Sequence, residues 1–346
     1  MRIQLIVGLI ISILFLYISL NGVQLDKLLI LIKSSHWEYI PILVIVVLLG
    51  FLIRSVRWFY LLRSIKEIRI RKLLSFELIG YAVSNIYPAR LGEFVRAYLL
   101  GKHEGISGSS ALASIVIERV LDGIMVLFLF TLILTFFKLP SGVDRINIKF
   151  LGHISLPQLG ILALSFYILV ISFLVLAYIN KPKALKIIEF SSRFLPQKIY
   201  QKVSDFMGKF IDGLSVIKEP FNILKALFYT LLLWIVVIYS AELTFYLMPG
   251  DFSSGLPFYA SALVTILVAL ILMVPAAPGN IGTLQYGCII SLAIFRIDKT
   301  EAFGFSILFH GLQYFIVTIS GLFYLWQYGL SLKRLIKERK EKDGSE

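Results

Sequence analysis

Hydrophobic residues in this chain fall into long blocks. Residues 3–20 carry no charge over 18 positions, residues 159–179 none over 21, and residues 256–274 none over 19. A helix rising 1.5 Å per residue needs about 20 such residues to cross roughly 30 Å of hydrocarbon. The pattern predicts membrane helices, with clear spans at 3–20, 39–62, 109–137, 159–179, 223–248 and 302–328. Two further apolar stretches, 73–100 and 256–295, are interrupted. The first breaks around Asn85, Pro88, Arg90 and Gly92, the second around Pro275, Pro278, Gly279, Asn280 and Gly282. Proline removes a helical donor and glycine loosens the backbone, so each stretch predicts a broken helix, read as a re-entrant hairpin. Two short full spans in place of each hairpin would leave the parity of crossings unchanged. The expected fold is all-α: a polytopic membrane protein with six full spans and two re-entrant helical hairpins.

The order span, span, broken hairpin, span occurs twice, in 1–137 and in 157–328, joined by an outer linker at 138–156. Three crossings per half turn the second half upside down relative to the first. The breaks also align, Pro88 and Gly92 in one half matching Pro278 and Gly282 in the other. Inverted repeats with discontinuous helices at matching positions are the pattern of secondary transporters. Chance recurrence of apolar helices with Pro-Gly breaks is the competing explanation. Residues 180–222 form a loop. Its apolar positions Leu195, Ile199, Val203, Phe206, Phe210 and Leu214 step by three or four, which predicts an amphipathic helix on the membrane surface. The tail 329–346 is a mixed-charge run.

Composition and charge sharpen the picture. Of 346 residues 58% are hydrophobic and the net charge is +13, which would suggest nucleic acid for a soluble protein. With the N-terminus inside, 21 of the 34 Lys and Arg residues fall in inner loops and 7 in outer loops. That bias places both termini in the cytoplasm and explains the charge by an anionic leaflet, with no nucleic-acid partner. The apolar N-terminus lacks a good cleavage site and is read as a retained span. One cysteine, Cys288, permits no intrachain disulfide, and with four scattered histidines it predicts no metal site and no cofactor.

Charges inside the spans carry the candidate chemistry. Arg90, Glu93 and Arg96 step by three and share a helical face; Glu118 and Asp122 are four apart, with Arg119 adjacent. Each ionised group near the bilayer centre costs about 2.5–3.5 kcal/mol, so these six must pair, line a wet cavity or lie near the interface. As a cavity, Arg90, Arg96 and Arg119 offer guanidinium donors suited to phosphate, and Glu93, Glu118 and Asp122 balance them or meet a cationic head group. Asn280 and Gly279 could present backbone amides from the second hairpin. As a structural alternative, Arg96 and Arg119 pair with Glu93 and Asp122 to lock helices together. Glu242, late in its span, reads equally as an ion site or an interfacial residue. His310 reads as a hydrogen-bonded core residue. Arg54 and Arg57 are expected to snorkel to the cytoplasmic interface, and Trp37, Trp58, Tyr324, Trp326 and Tyr328 to form interfacial belts. No Walker loop, G-x-S-x-G or H-E-x-x-H occurs, so soluble-type catalysis is not expected.

The segments Asn85 to Arg96, Glu118 to Asp122 and Pro275 to Gly282 resemble the transmembrane region of the lysylphosphatidylglycerol synthase family, flippase-like integral membrane proteins. The resemblance spans nearly the whole chain. It implies movement of an aminoacylated phospholipid or related lipid to the outer leaflet. No aminoacyl-transferase domain has a counterpart here, which implies translocation without synthesis and a separate enzyme to make the lipid. The expected head-group site is Asn85, Arg90, Glu93, Arg96, Glu118, Arg119, Asp122, Asn280, Gln285 and His310. Gln285 stands where many relatives look acidic and His310 where many look basic, so a salt bridge elsewhere would be a neutral pair here. Two rivals stay open: an intramembrane lipid-modifying transferase using Glu93, Glu118 or Asp122 as acid or base, and a non-catalytic membrane scaffold.

Overall fold

A computed structural model describes residues 2–87, 91–137, 145–148, 152–183, 207, 208, 210, 211, 219–250, 252–273 and 278–330. Eleven helices run through them in order: α1 Arg2–Leu20, α2 Leu25–Lys33, α3 Ile40–Leu62, α4 Ile70–Ile86, α5 Leu91–Glu104, α6 Gly108–Phe136, α7 Leu156–Ile179, α8 Pro220–Leu247, α9 Ala260–Ile271, α10 Thr283–Ala293 and α11 Lys299–Gln327. Five helical stretches are long and apolar enough to cross a membrane: 37–62, 108–136, 160–177, 220–247 and 299–327. Counting the bent pair formed by the end of α1 and α2 gives six.

The departures from the expected elements have local causes. After α1 the chain turns through 90° at Gly22, whose φ of 81° only glycine adopts easily, and α2 packs against α11. Leu28 faces inward from α2 while Leu25 and Ile30 are exposed. Thr300 and Lys299 hold this elbow: the Thr300 hydroxyl accepts from the Gln24 amide, and the Lys299 ammonium donates to the Ile18 carbonyl at 2.8 Å. The all-α expectation needs one correction. Within the linker 138–156, β1 Arg145–Ile148 pairs antiparallel with β2 Gly152–Ser155, Arg145 opposite Ser155. Alternating β-branched and polar residues there fit a short hairpin. The surface helix expected across 190–218 lies outside the described residues apart from four positions, and the tail beyond 330 lies outside them entirely.

Both interrupted stretches are broken where the sequence requires it. Tyr87, the residue before Pro88, is extended at φ −114°, ψ 145°, and α4 ends there. In the second hairpin Gly279, Asn280 and Gly282 all have positive φ. Hydrophobic burial does not drive helices together inside lipid, so contacts depend on close backbone approach. A Cβ on Gly92 would collide with the Gly80 carbonyl, which sets the arms α4 and α5 backbone to backbone. A Cβ on Gly321 would likewise meet the Leu78 carbonyl, placing α11 hard against α4. Helix α3 packs along α8, α4 and α5 form one hairpin, and α9 and α10 form the other. Ile45, Phe166 and Phe315 remain on the outside of the bundle, as lipid-facing residues should.

Candidate functional site

Four helices of the first half converge on one cluster of charges. From α3 comes Arg57, from α4 Glu77, from α5 Arg96, and from α6 Glu118 and Asp122. Arg57, Glu77, Arg96 and Glu118 are at most 1% exposed. At 1.5 Å per residue they lie about 7–16 Å in from the helix ends that flank 63–69 and 105–107. Arg96 directs one nitrogen, Nη2, to two carboxylates, Glu77 at 2.6 Å and Glu118 at 2.9 Å. Its guanidinium lies 4.1 Å from the centroid of the Trp58 ring, and Trp58 donates to the Ser114 hydroxyl at 2.9 Å. Arg57 sits between Asp122, at 2.5 Å, and Glu118, at 3.4 Å. Its Nη1 also reaches the Thr230 hydroxyl of α8 at 3.4 Å, tying the second half to the cluster.

Arg119 and Glu93 form the open edge. Their side chains are 34% and 29% exposed, and Arg119 Nε lies 3.6 Å from Glu93. Arg119 also faces Asp122 at 3.5 Å and Glu118 at 3.9 Å. Tyr81 links this edge to α3: its hydroxyl accepts from Arg54 at 3.0 Å and from Arg119 at 3.4 Å.

The two hairpin breaks meet each other. Glu77, Tyr81 and Asn85 are spaced by four along α4, one polar stripe on one face. Asn85, at its far end, donates to the Thr318 hydroxyl at 2.9 Å, and its carbonyl accepts from Tyr314 at 3.1 Å. A Cβ on Gly279 would lie 2.8 Å from the Tyr314 ring and 3.3 Å from the Asn85 carbonyl, so only glycine fits the junction. Behind it, Gln285 accepts from the Gly282 amide at 2.7 Å, which leaves its NH2 facing His310 Nδ1 at 3.1 Å. Nδ1 is therefore an acceptor and the ring donates through Nε2, its other hydrogen bond being to the Gly279 backbone. Gln285 and His310 form a neutral pair in contact.

Several residues stand where the sequence did not put them. Arg57 does not snorkel: its side chain is fully buried, because three partners inside the bundle satisfy it. Arg54 also stays inside, between Tyr81 and the Phe51 ring. Trp58 is not interfacial but fully buried beneath Arg96. Arg96 does not pair with Glu93 on its own helix; it turns inward to Glu77 and Glu118. Glu118 and Arg96 are thus sealed, while Glu93, Arg119 and in part Asp122 are reachable. Pro88 and Arg90 lie outside the described residues. Glu242 hydrogen-bonds Tyr246 one turn along α8 and is not part of the cluster. Glu77, Tyr81, Arg54 and Arg57 were missed as members. Their signal was present as lone polar residues at i, i+3 and i, i+4 spacing in apolar helices. Among the described residues no group of three or more His, Cys, Asp and Glu is placed to hold a metal ion.

Comparison with known proteins agrees with this architecture. The chain is 27% identical over 339 residues to UPF0104 membrane protein MJ1595 of Methanocaldococcus jannaschii, covering 96% of each chain. It is 22% identical over 321 residues to a UPF0104 membrane protein of Methanothermobacter thermautotrophicus, covering 89% of this chain and 90% of the relative. UPF0104 membrane protein MJ1078 of M. jannaschii is 27% identical over 274 residues, 75% of this chain and 97% of the relative. No solved structure matches the chain. The family described as lysylphosphatidylglycerol synthase TM region matches residues 5–321, and the chain belongs to it: it is a multi-pass integral membrane protein of that family.

Proposed function

We propose that this protein translocates a lipid, a phospholipid or lipid-linked head group, across the cytoplasmic membrane, with both termini in the cytoplasm. The carrying observation is the polar stripe Glu77–Tyr81–Asn85. It joins a charge cluster with a reachable edge, Arg119 and Glu93, to the point where two broken hairpins touch. A head group travelling along that stripe would meet donors and carboxylates in place of water, while its tails stay in lipid. Arg90, next to the first break, would serve the same path.

The packing of the two halves supports an inverted repeat. Helix α3 packs on α4 as α8 packs on α9; α5 packs on α6 as α10 packs on α11; α4 meets α11 as α9 meets α6. Alternating access by rocking one half against the other needs such an arrangement.

The test is transfer of a fluorescent-tailed phospholipid in reconstituted vesicles. Wild-type protein accelerates exchange between leaflets, and Arg119→Ala or Glu93→Gln abolishes the acceleration while insertion and monodispersity are kept. Wild-type rates in both variants, or no acceleration by the wild type, refute the proposal. A lipid of altered mass in the same vesicles supports a transferase instead.

A further inference from the structure

Arg54 has an unusual environment. It lies eight residues, about 12 Å, inside the end of α3. Among the described residues no carboxylate lies within 4 Å of it. Its guanidinium rests 5.3 Å from the Tyr81 ring centroid and 5.8 Å from that of Phe51, and it gives one hydrogen bond, to the Tyr81 hydroxyl at 3.0 Å. Arg119 approaches the same oxygen from α6 at 3.4 Å. Two cations from two helices therefore converge on one phenol.

The hydrogen-bonding capacity of these two side chains is largely unspent. A guanidinium carries five N–H donors. Arg57 and Arg96 each reach a carboxylate at 2.6 Å or less and are sealed. Arg119 has carboxylates only at 3.5–3.9 Å, longer than good charge-assisted hydrogen bonds. Of the four arginines, Arg119 and Arg54 are also the two that are not fully buried. A tetrahedral oxyanion beside the Tyr81 hydroxyl could accept from both guanidiniums at once, and the phenol O–H could donate to a third oxygen.

We infer that Arg54, Tyr81 and Arg119 form a phosphate-binding site, with the phosphate supplied by a lipid head group. The inference rests on the translocation reading and places the anionic part of its substrate. Arg96, sealed against Trp58, is excluded from that task.

Binding is measured on the full-length protein in detergent by titration calorimetry, with short-chain phosphatidate, short-chain diacylglycerol and inorganic phosphate as probes. Phosphatidate binds saturably and diacylglycerol does not. Arg54→Gln weakens phosphatidate roughly tenfold or more, and Tyr81→Phe weakens it about threefold. Arg54→Lys, which keeps the charge but loses the fork, falls between wild type and Arg54→Gln and serves if Arg54→Gln misfolds. Arg63→Gln, at an exposed pair with Glu67, leaves affinity unchanged. Competition by inorganic phosphate at equal concentration would assign the site to free phosphate and overturn the lipid source. Wild-type affinity in a folded Arg54→Gln or Arg54→Lys, or equal binding of diacylglycerol, overturns the site itself. Leaflet transfer distinguishes the two readings: transfer that persists without Arg54-dependent binding defeats only this inference. Binding without transfer by the wild type defeats only the translocation reading.

Discussion

Arg57 of α3 lies against Asp122 of α6 with Nη1 2.5 Å from Oδ1, inside a bundle that gives the arginine no exposed surface. Neither residue could be accommodated alone. An isolated charge at such depth costs several kcal/mol, and the pair contributes chiefly by removing that cost. The cluster is balanced around them: Arg54, Arg57, Arg96 and Arg119 stand with Glu77, Glu93, Glu118 and Asp122.

Breaking the pair from one side should therefore be severe. Arg57→Met is expected to cost about 3–5 kcal/mol, since it removes the nearest partner of Asp122, leaving Arg119 at 3.5 Å, and one of the arginines around Glu118. Adding Asp122→Leu should recover a substantial part of the loss. Chemical unfolding in mixed micelles measures both. A single variant as stable as the wild type, or a double variant worse than the single, contradicts this account.

The first hairpin should be equally sensitive to a single methyl group. Gly92→Ala places a Cβ against the Gly80 carbonyl, and the arms must separate, at about 1–3 kcal/mol. Gly311→Ala, in α11 with nothing within 4 Å of the added atom, should be neutral or slightly stabilising. Melting midpoints of the two variants, compared side by side, decide it; equal shifts would remove the close-approach argument.

The helices were legible because membrane spans are written in uninterrupted apolar runs, and the breaks because proline and glycine act locally. The pairing was not. Sequence spacing set Arg96 on one face with Glu93, yet its partners come from α4 and α6, 19 and 22 residues away. Arg57 looked like a residue near a helix end, since nothing local announces that α6 and α8 bring Asp122 and Thr230 to it. Gln285 and His310 could be suspected as a pair only through the family resemblance. Tertiary contact decides which charges seal and which stay reachable, and spacing along one helix carries only half of that information.

Outside the membrane segments, Glu104 at the end of α5 gives a pH dependence. Burial pushes its carboxyl up, but hydrogen bonds and charge from Lys72, at 2.6 Å, and Lys66, at 3.1 Å, outweigh this and hold it below the ordinary 4.5 of glutamate. A carboxyl depressed in the folded state stabilises above its unfolded value, and the contribution is lost as pH falls through the folded one. Both lysines are over 40% exposed, so screening keeps the contribution below about 1 kcal/mol. Lys66→Met with Lys72→Met should lower the melting point at pH 7, and the gap to wild type should close below pH 4. A gap that persists there would place the effect in packing.

The neutral pair behind the second break makes the last prediction. Gln285 does two things at once: its oxygen caps the Gly282 amide at 2.7 Å and its NH2 faces His310 Nδ1 at 3.1 Å. Gln285→Leu keeps similar volume and removes both, leaving a buried amide and a ring nitrogen unsatisfied, at about 1–3 kcal/mol. Gln285→Glu retains the acceptor for Gly282 and replaces a donor with an acceptor opposite Nδ1. With that carboxylate ionised, the contact holds only if the ring carries a proton on Nδ1, as the other neutral tautomer or as the imidazolium, across the same 3.1 Å. Nitrogen-15 NMR of the histidine ring in Gln285→Glu should show a protonated Nδ1 where the wild type shows a bare one. A bare Nδ1 in both would mean that an ionised carboxylate at this position does not set the tautomer, which overturns the prediction.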